Sequence, residues 1–277
     1  MDDLVARVAA RYKRKTISEE GNPIYQYSER QVALRNRKKA ERLEKLRANI
    51  TKLRAQVKRD LKSNDPEKFL TALAVALIDE TYERVGNDES AGDGHFGVTG
   101  WQKSHVSFGS GKATVKYVGK SGVKQKKTVQ DKSIVQALRD AYEACPDEGI
   151  FEHDAGRVTA SEVNNYLKSF EVTAKDLRGF HANREMQERL RAARKGALPD
   201  DPKEREKKLK AEFKKALEET AEAVGHEPST LRSQYLVPGI EAEFLKDGTV
   251  SDKMTKQACA EIAQRVADRY HETLARS

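Results

Sequence analysis

The stretch VSFGSGKATVKYVGKSGVKQKKTV, residues 106–129, is where the pattern of this 277-residue chain changes. Apolar and polar residues alternate there and β-branched side chains recur, the signature of half-buried strands. Residues 106–108, 113–118 and 127–129 read as three short strands, separated by glycine-containing turns at 109–111 and 119–122. No other segment reads as strand. The spacing predicts a small three-stranded antiparallel sheet in an otherwise helical protein, an α+β fold that is mainly α.

Upstream, Asn64-Asp65-Pro66 is a helix start, with Asp65 as cap and Pro66 in the first turn. The apolar helix that follows (Phe69, Leu70, Leu73, Ala74, Leu77, Ile78, Tyr82) is expected at the centre of the fold and to end near Gly86. Residues 28–61 hold no Gly or Pro and read as a long polar helix with a thin stripe of Val32, Leu43, Leu46, Ile50, Leu53 and Val57. A helix so polar lies across another domain or a phosphate backbone. Before it, Gly21-Asn22-Pro23 is a break, and residues up to about 20 read as a short helix or a frayed arm. Downstream, helices are expected over 132–145, 159–170, 173–194, 201–224 and 254–274, with a short helical turn at 228–236. The organisation read from this is a basic helical segment over 1–64 and a larger domain over 65–277, with a charged helical linker at about 184–224.

Net charge is +8, unevenly spread. Residues 1–64 carry 18 Lys/Arg against 8 Asp/Glu, a net of +10, and the remainder 34 against 36, a net of −2. Such an asymmetry points to a polyanion, nucleic acid above all, or to a solvated helix laced with salt bridges. No apolar run approaches the ~18 residues of a membrane span, and no signal peptide opens the chain. Cys145 and Cys259 stand too far apart in sequence for a disulfide framework or zinc cluster. A reduced, intracellular, cytoplasmic protein without membrane contact is the expectation.

Two motifs are decoys. Gly119-Lys120-Ser121 resembles the end of a phosphate-binding loop, but position 114 is Thr where that loop needs Gly. His226-Glu227 lacks the second His of a zinc-protease motif, since position 230 is Thr. Neither a metal nor a cofactor is required. What remains is a set of cations and a tyrosine: Arg84 after the apolar helix, Lys120 in the strand turn, Lys175 and Arg178 three apart on one helix, His226, and Tyr235 nine residues later. Each alone has an ordinary reading, as a helix-end cation, a hairpin tip, an ion-pair partner, a capping histidine or a half-buried tyrosine. Together they suit phosphoryl transfer to a phenol. With a pKa near 10, a phenol is a weak nucleophile unless its surroundings help. Arginines hold non-bridging phosphate oxygens in bidentate fashion. A histidine can donate to one of those oxygens, and a lysine can protonate the leaving alkoxide.

These residues resemble the type IB DNA topoisomerases of the compact bacterial and poxviral kind, from about Gly21 onward. Arg84-Val85-Gly86-Asn87 is similar to that family's first arginine motif, and Val118-Gly119-Lys120 to its lysine turn. Thr173-Ala174-Lys175-Asp176-Leu177-Arg178 is similar to its second arginine motif, and His226 and Tyr235 to its histidine and nucleophile. Tyr25-Gln26-Tyr27, Phe96-Gly97-Val98-Thr99 and Lys103-Ser104-His105-Val106 look like its connecting segments. The resemblance implies the DNA breaking-rejoining fold and a metal-free, ATP-independent relaxation of supercoils through a 3′-phosphotyrosyl bond. Catalysis would rest on Arg84, Lys120, Arg178, His226 and Tyr235. Lys175, Lys103, His105, Arg35, Lys38 and Lys39 would be lesser DNA contacts. The partner implied is double-stranded DNA, bound by a monomer. That family usually carries a β-rich N-terminal lobe that closes around the duplex, and this chain begins about where the lobe should end. Trp101 departs from the family's pattern and is expected in the core. The rival reading is a tyrosine recombinase, which usually has a histidine three before its second arginine, where this chain has Lys175. A non-catalytic DNA-binding module is the other.

Overall fold

The structure, a computed structural model, describes residues 12–17, 23–87, 91–194 and 196–250. It divides into two units. The larger holds the described residues of Arg42–Lys195 and Lys214–Leu236, and the smaller holds the remainder. The expected helix at 254–274 and residues 1–11 lie outside the described residues.

The smaller unit corrects the reading of the N-terminal end. Strands β1 (Tyr12–Ile17) and β2 (Pro23–Tyr27) pair antiparallel, with Lys15 opposite Tyr25 and Thr16 opposite Ile24. The run Lys13-Arg14-Lys15 hides the alternation that would have marked a strand. Helix α1 (Glu29–Asp60) follows, with the Ser28 hydroxyl accepting from the Gln31 N–H at 3.3 Å as a cap. Val32, expected on its apolar stripe, is instead exposed.

In the larger unit the stripe behaves as expected: Leu43, Leu46, Ile50, Leu53 and Val57 of α1 are buried, the last four of them in the main core. Helix α2 (Pro66–Thr81) runs through that core. Its Asp65 cap accepts from the Lys68 N–H at 3.2 Å. Everything from Leu70 to Ile78 is buried, as a helix apolar on all sides requires. Its fully buried Leu73 and Leu77 each contribute about 1.5–3 kcal/mol.

Helix α2 ends five residues before Gly86. Tyr82 takes a left-handed conformation (φ 63°) and its N–H donates to Ile78 O at 3.0 Å. A non-glycine residue rarely sits there, so the composition gave no warning. Beyond it the chain crosses residues 96–99: Val98 N–H donates to Arg84 O and Thr99 N–H to Val85 O, both at 2.8 Å. Gly86 (φ +112°) and Gly97 permit the crossing, since a Cβ on Gly97 would lie 2.5 Å from the backbone of Gly86. Backbone cannot swing aside as a side chain can. Gly97→Ala is therefore expected to cost about 1–3 kcal/mol, read as a lower unfolding midpoint; an unchanged midpoint would mean the crossing is looser than described.

Strands β3 (Val106–Gly109), β4 (Lys112–Val118) and β5 (Lys124–Val129) form the expected antiparallel sheet in that order. Val106 faces Val115, and Ala113 faces Val129. Ala113, Val115 and Tyr117 point into the core, while Lys112 and Lys116 are exposed. β5 is twice its expected length. Its Lys124, Gln125 and Lys126 pair by backbone alone and leave Val129 as its one buried residue. A strand, not a helix, follows the turn at Lys120–Gly122, as expected of a sequence that only resembles a phosphate loop.

Helix α3 (Lys132–Ala144) is capped by Asp131, which accepts from Ser133 N–H at 2.8 Å and Ile134 N–H at 3.2 Å. A second correction follows: β6 (Glu152–His153) and β7 (Gly156–Arg157) form a hairpin too short to leave a sequence pattern. Helix α4 (Ala160–Lys168) has the expected capping box of Thr159 and Glu162. Helices α5 (Ala174–Ala193) and α6 (Pro202–Val224) complete the set. Thr220 donates to the Met186 sulfur at 3.6 Å in a buried contact between them. Trp101 is fully buried, as expected. In the smaller unit, α7 (Ile240–Asp247) sets Phe244 against Phe213, ring centroids 6.2 Å apart.

Candidate active site

Arg178 sits in the second turn of α5, whose start is fixed by reciprocal bonds between Thr173 and Asp176. Its guanidinium is buried, 4% exposed. Nε donates to Tyr82 O at 2.6 Å, Nη2 to Val224 O at 3.2 Å, and Nη1 to the Tyr235 hydroxyl at 3.0 Å. Burial pulls this group below its ordinary value, yet a guanidinium remains charged in proteins. A fixed cation thus lies against the phenol oxygen. The same left-handed Tyr82 that ends α2 supplies one of its three acceptors.

Tyr235 closes a π-helical turn, Leu231–Tyr235, that continues a single α turn at Pro228–Thr230. Leu236 N–H donates to Leu231 O at 3.1 Å, the wider i→i+5 ring. Such turns are uncommon and favour functional sites. Nothing in Leu231-Arg232-Ser233-Gln234-Tyr235 announces one. Asn183 anchors the tyrosine: its amide donates to Tyr235 O at 2.9 Å and to Gly179 O at 2.7 Å. Sequence reasoning missed Asn183. Its only signal was a polar residue on the buried face of α5, five positions after Arg178.

His226 follows the end of α6 across Gly225 (φ +65°), a conformation that glycine takes without strain. Its N–H donates to Ala221 O at 2.8 Å. Its ring packs on the Tyr235 ring, centroids 4.3 Å apart. Arg84 Nη2 lies 3.4 Å from His226 Nδ1. Burial first, then the charges of Arg178, Arg84, Lys127 and Lys175, pull the imidazole down to about 3. The ring is neutral near pH 7. With Nδ1 turned to a guanidinium, which can only donate, Nε2 carries the proton. That Nε2 is buried without a hydrogen-bond partner among the described residues. It is a donor facing no acceptor.

This predicts a proton-uptake signature. The unfolded chain takes up the His226 proton near 6.5 and the fold only near 3, so the native state loses stability as pH falls between those values. Nitrogen resonances of the ring should report the neutral Nε2–H form down to pH 5; a midpoint near 6.5 in the free protein would contradict this environment.

Lys120 lies exposed in the turn between β4 and β5. It lines a cleft of about 440 Å3 together with Arg84 and His226. Lys175 is exposed one turn before Arg178, its Nζ 5.7 Å from the centre of the Tyr235 ring. The five catalytic candidates and Lys175 thus belong to the larger unit. Of the lesser ones, Lys103 donates to Cys145 O at 2.5 Å and rests over Tyr142. His105 accepts from Gln102 N–H at 3.1 Å and packs against Phe96. Both are engaged within the protein. Arg35 stacks over Tyr27, and Lys38 is exposed, in the first half of α1 with Lys39.

Residues 28–257 match the sequence profile of the eukaryotic DNA topoisomerase I catalytic core. The chain belongs to that family. It is also similar to the DNA topoisomerase 1B of Acanthamoeba polyphaga mimivirus, 25% identical over 233 residues that cover 78% of this chain and 67% of the relative. Two solved structures of the XerH site-specific recombinase bound to its difH substrate are more distant. The post-cleavage complex matches at TM-score 0.43 and 15% identity over 70% of this chain, and the pre-cleavage complex at 0.44 and 18% over 80%. The chain spans about half the length of those two proteins, 47% and 52%.

The topoisomerase-family chain has a second concavity among its described residues. A cavity of about 490 Å3, lined by Arg54, Asp79, Tyr82 and His181 among others, contains none of the six candidates. Among the described residues no three His, Cys, Asp or Glu side chains gather to hold a metal ion, and no helix is long and apolar enough to cross a membrane.

Proposed function

We propose that this chain is the catalytic core of a type IB DNA topoisomerase, relaxing supercoiled duplex DNA through a transient 3′-phosphotyrosyl bond at Tyr235. The carrying observation is the contact of 3.0 Å from the buried Arg178 guanidinium to the Tyr235 hydroxyl, in a chain of the topoisomerase I catalytic core family.

The chemistry follows from the groups. The Tyr235 oxygen attacks phosphorus and loses its proton to water, and the bond from phosphorus to the 5′ oxygen breaks. Lys120 donates a proton to that leaving oxygen. Arg178 and Arg84 hold the non-bridging oxygens, and the His226 Nε2–H donates to one of them. These preformed donors neutralise the charge that develops in the transition state, so neither ATP nor a metal ion enters the balance. The free 5′ end swivels and religation reverses the step. Lys175 supports the tyrosine, and Arg35, Lys38 and Lys39 add phosphate contacts that weaken as salt rises.

The test is supercoiled plasmid incubated with the protein in EDTA, without ATP. Relaxation supports the reading. Plasmid that stays supercoiled, with no covalent adduct on a nicked duplex, overturns it.

A further inference from the structure

Outside the groups assigned to chemistry, one cluster of buried charge stands out. Glu83 is 4% exposed. It directly precedes Arg84, and both residues line the cleft that holds Lys120 and His226. One carboxylate oxygen accepts from the Tyr117 hydroxyl of β4 at 2.5 Å. The other pairs with Lys127 Nζ of β5 at 3.1 Å. Lys127, whose side chain is 12% exposed, also donates to Ala223 O in the last turn of α6 at 3.0 Å. Burial and the Glu83 carboxylate raise the Tyr117 phenol above its ordinary value, so it stays a donor.

Each arm of the cluster ends close in sequence to one active-site candidate. Glu83 adjoins Arg84. Tyr117 and Lys127 lie on the two strands joined by the turn of Lys120. Ala223 stands three residues before His226. Removing an ion pair from water is costly, and a pair of well-packed apolar residues usually serves stability as well. A buried pair is therefore weak as a source of stability. Its geometry is better suited to fixing position.

We infer that Glu83 and Lys127, with Tyr117, are positioning residues that hold Arg84, the Lys120 turn and His226 in register. The inference rests on the tyrosine-transfer reading only for its catalytic consequence. A displacement of about 1 Å in such a constellation costs on the order of 100-fold in rate.

The test is the double variant Glu83→Gln/Lys127→Met, which removes both charges together and leaves no unpaired ion to unfold the protein. Single-turnover cleavage of a nicked duplex is expected to slow on the order of 10- to 100-fold, with duplex affinity near that of wild type. A variant that folds and cleaves at the wild-type rate overturns the inference and leaves the tyrosine reading standing. A second readout needs no activity: the side-chain nitrogen resonances of Arg84 and His226 in the free protein. They are expected to shift in the double variant, and unchanged resonances overturn the inference whether or not the wild type cleaves DNA.

Discussion

Tyr235→Phe is expected to leave supercoiled plasmid unrelaxed and to form no covalent adduct, while still binding duplex DNA. The substitution removes one oxygen, and in the proposed mechanism that oxygen is the nucleophile, which no neighbour can replace. Its loss also leaves Arg178 Nη1 without the acceptor it has at 3.0 Å. An unsatisfied buried donor costs about 1–3 kcal/mol, so the variant should unfold somewhat earlier than wild type. Binding should change little, because phosphate contacts are spread over many cations. Gel-shift and relaxation assays on one preparation separate the two effects. Relaxation by the variant would remove Tyr235 from the chemistry.

The second large effect is expected at Arg178→Lys. The guanidinium donates to Tyr82 O, Val224 O and the Tyr235 hydroxyl at once. An ammonium on a flexible stem cannot reproduce that planar fork. Two buried carbonyls and the phenol would compete for a single point donor. Cleavage should fall by about 10²–10³, the usual cost of losing one preorganised transition-state donor. Single-turnover kinetics at saturating enzyme would read this directly. A loss below about 10-fold would mean that Arg178 supports the fold around Tyr235 rather than the transition state.

Much of this was legible in the sequence because local signals agreed with the fold. Asp65-Pro66 starts α2, the Thr159 and Thr173 boxes start α4 and α5, and alternation marks β4. The candidate site was legible through residue type and order, and Arg84, Arg178, His226 and Tyr235 do converge in one unit. What failed was decided by tertiary contacts. The left-handed turn at Tyr82 is held by stacking on His181, ring centroids 4.4 Å apart, and by its carbonyl on Arg178. No propensity encodes either contact. The lysines in β1 and β5 obscured strands that pair by backbone. The π turn at Tyr235, the anchoring Asn183 and the buried pair of Glu83 and Lys127 depend on partners 44 or more positions away, beyond the reach of any local pattern.

The most direct test of the account is a nicked duplex that on cleavage releases a short fragment bearing the new 5′-hydroxyl, so that religation fails and the covalent adduct accumulates. Peptide mapping of that adduct should find DNA joined through its 3′ phosphate to the peptide bearing Tyr235, formed equally well in EDTA. A 5′ linkage, attachment at another residue, or the absence of any adduct would contradict the account.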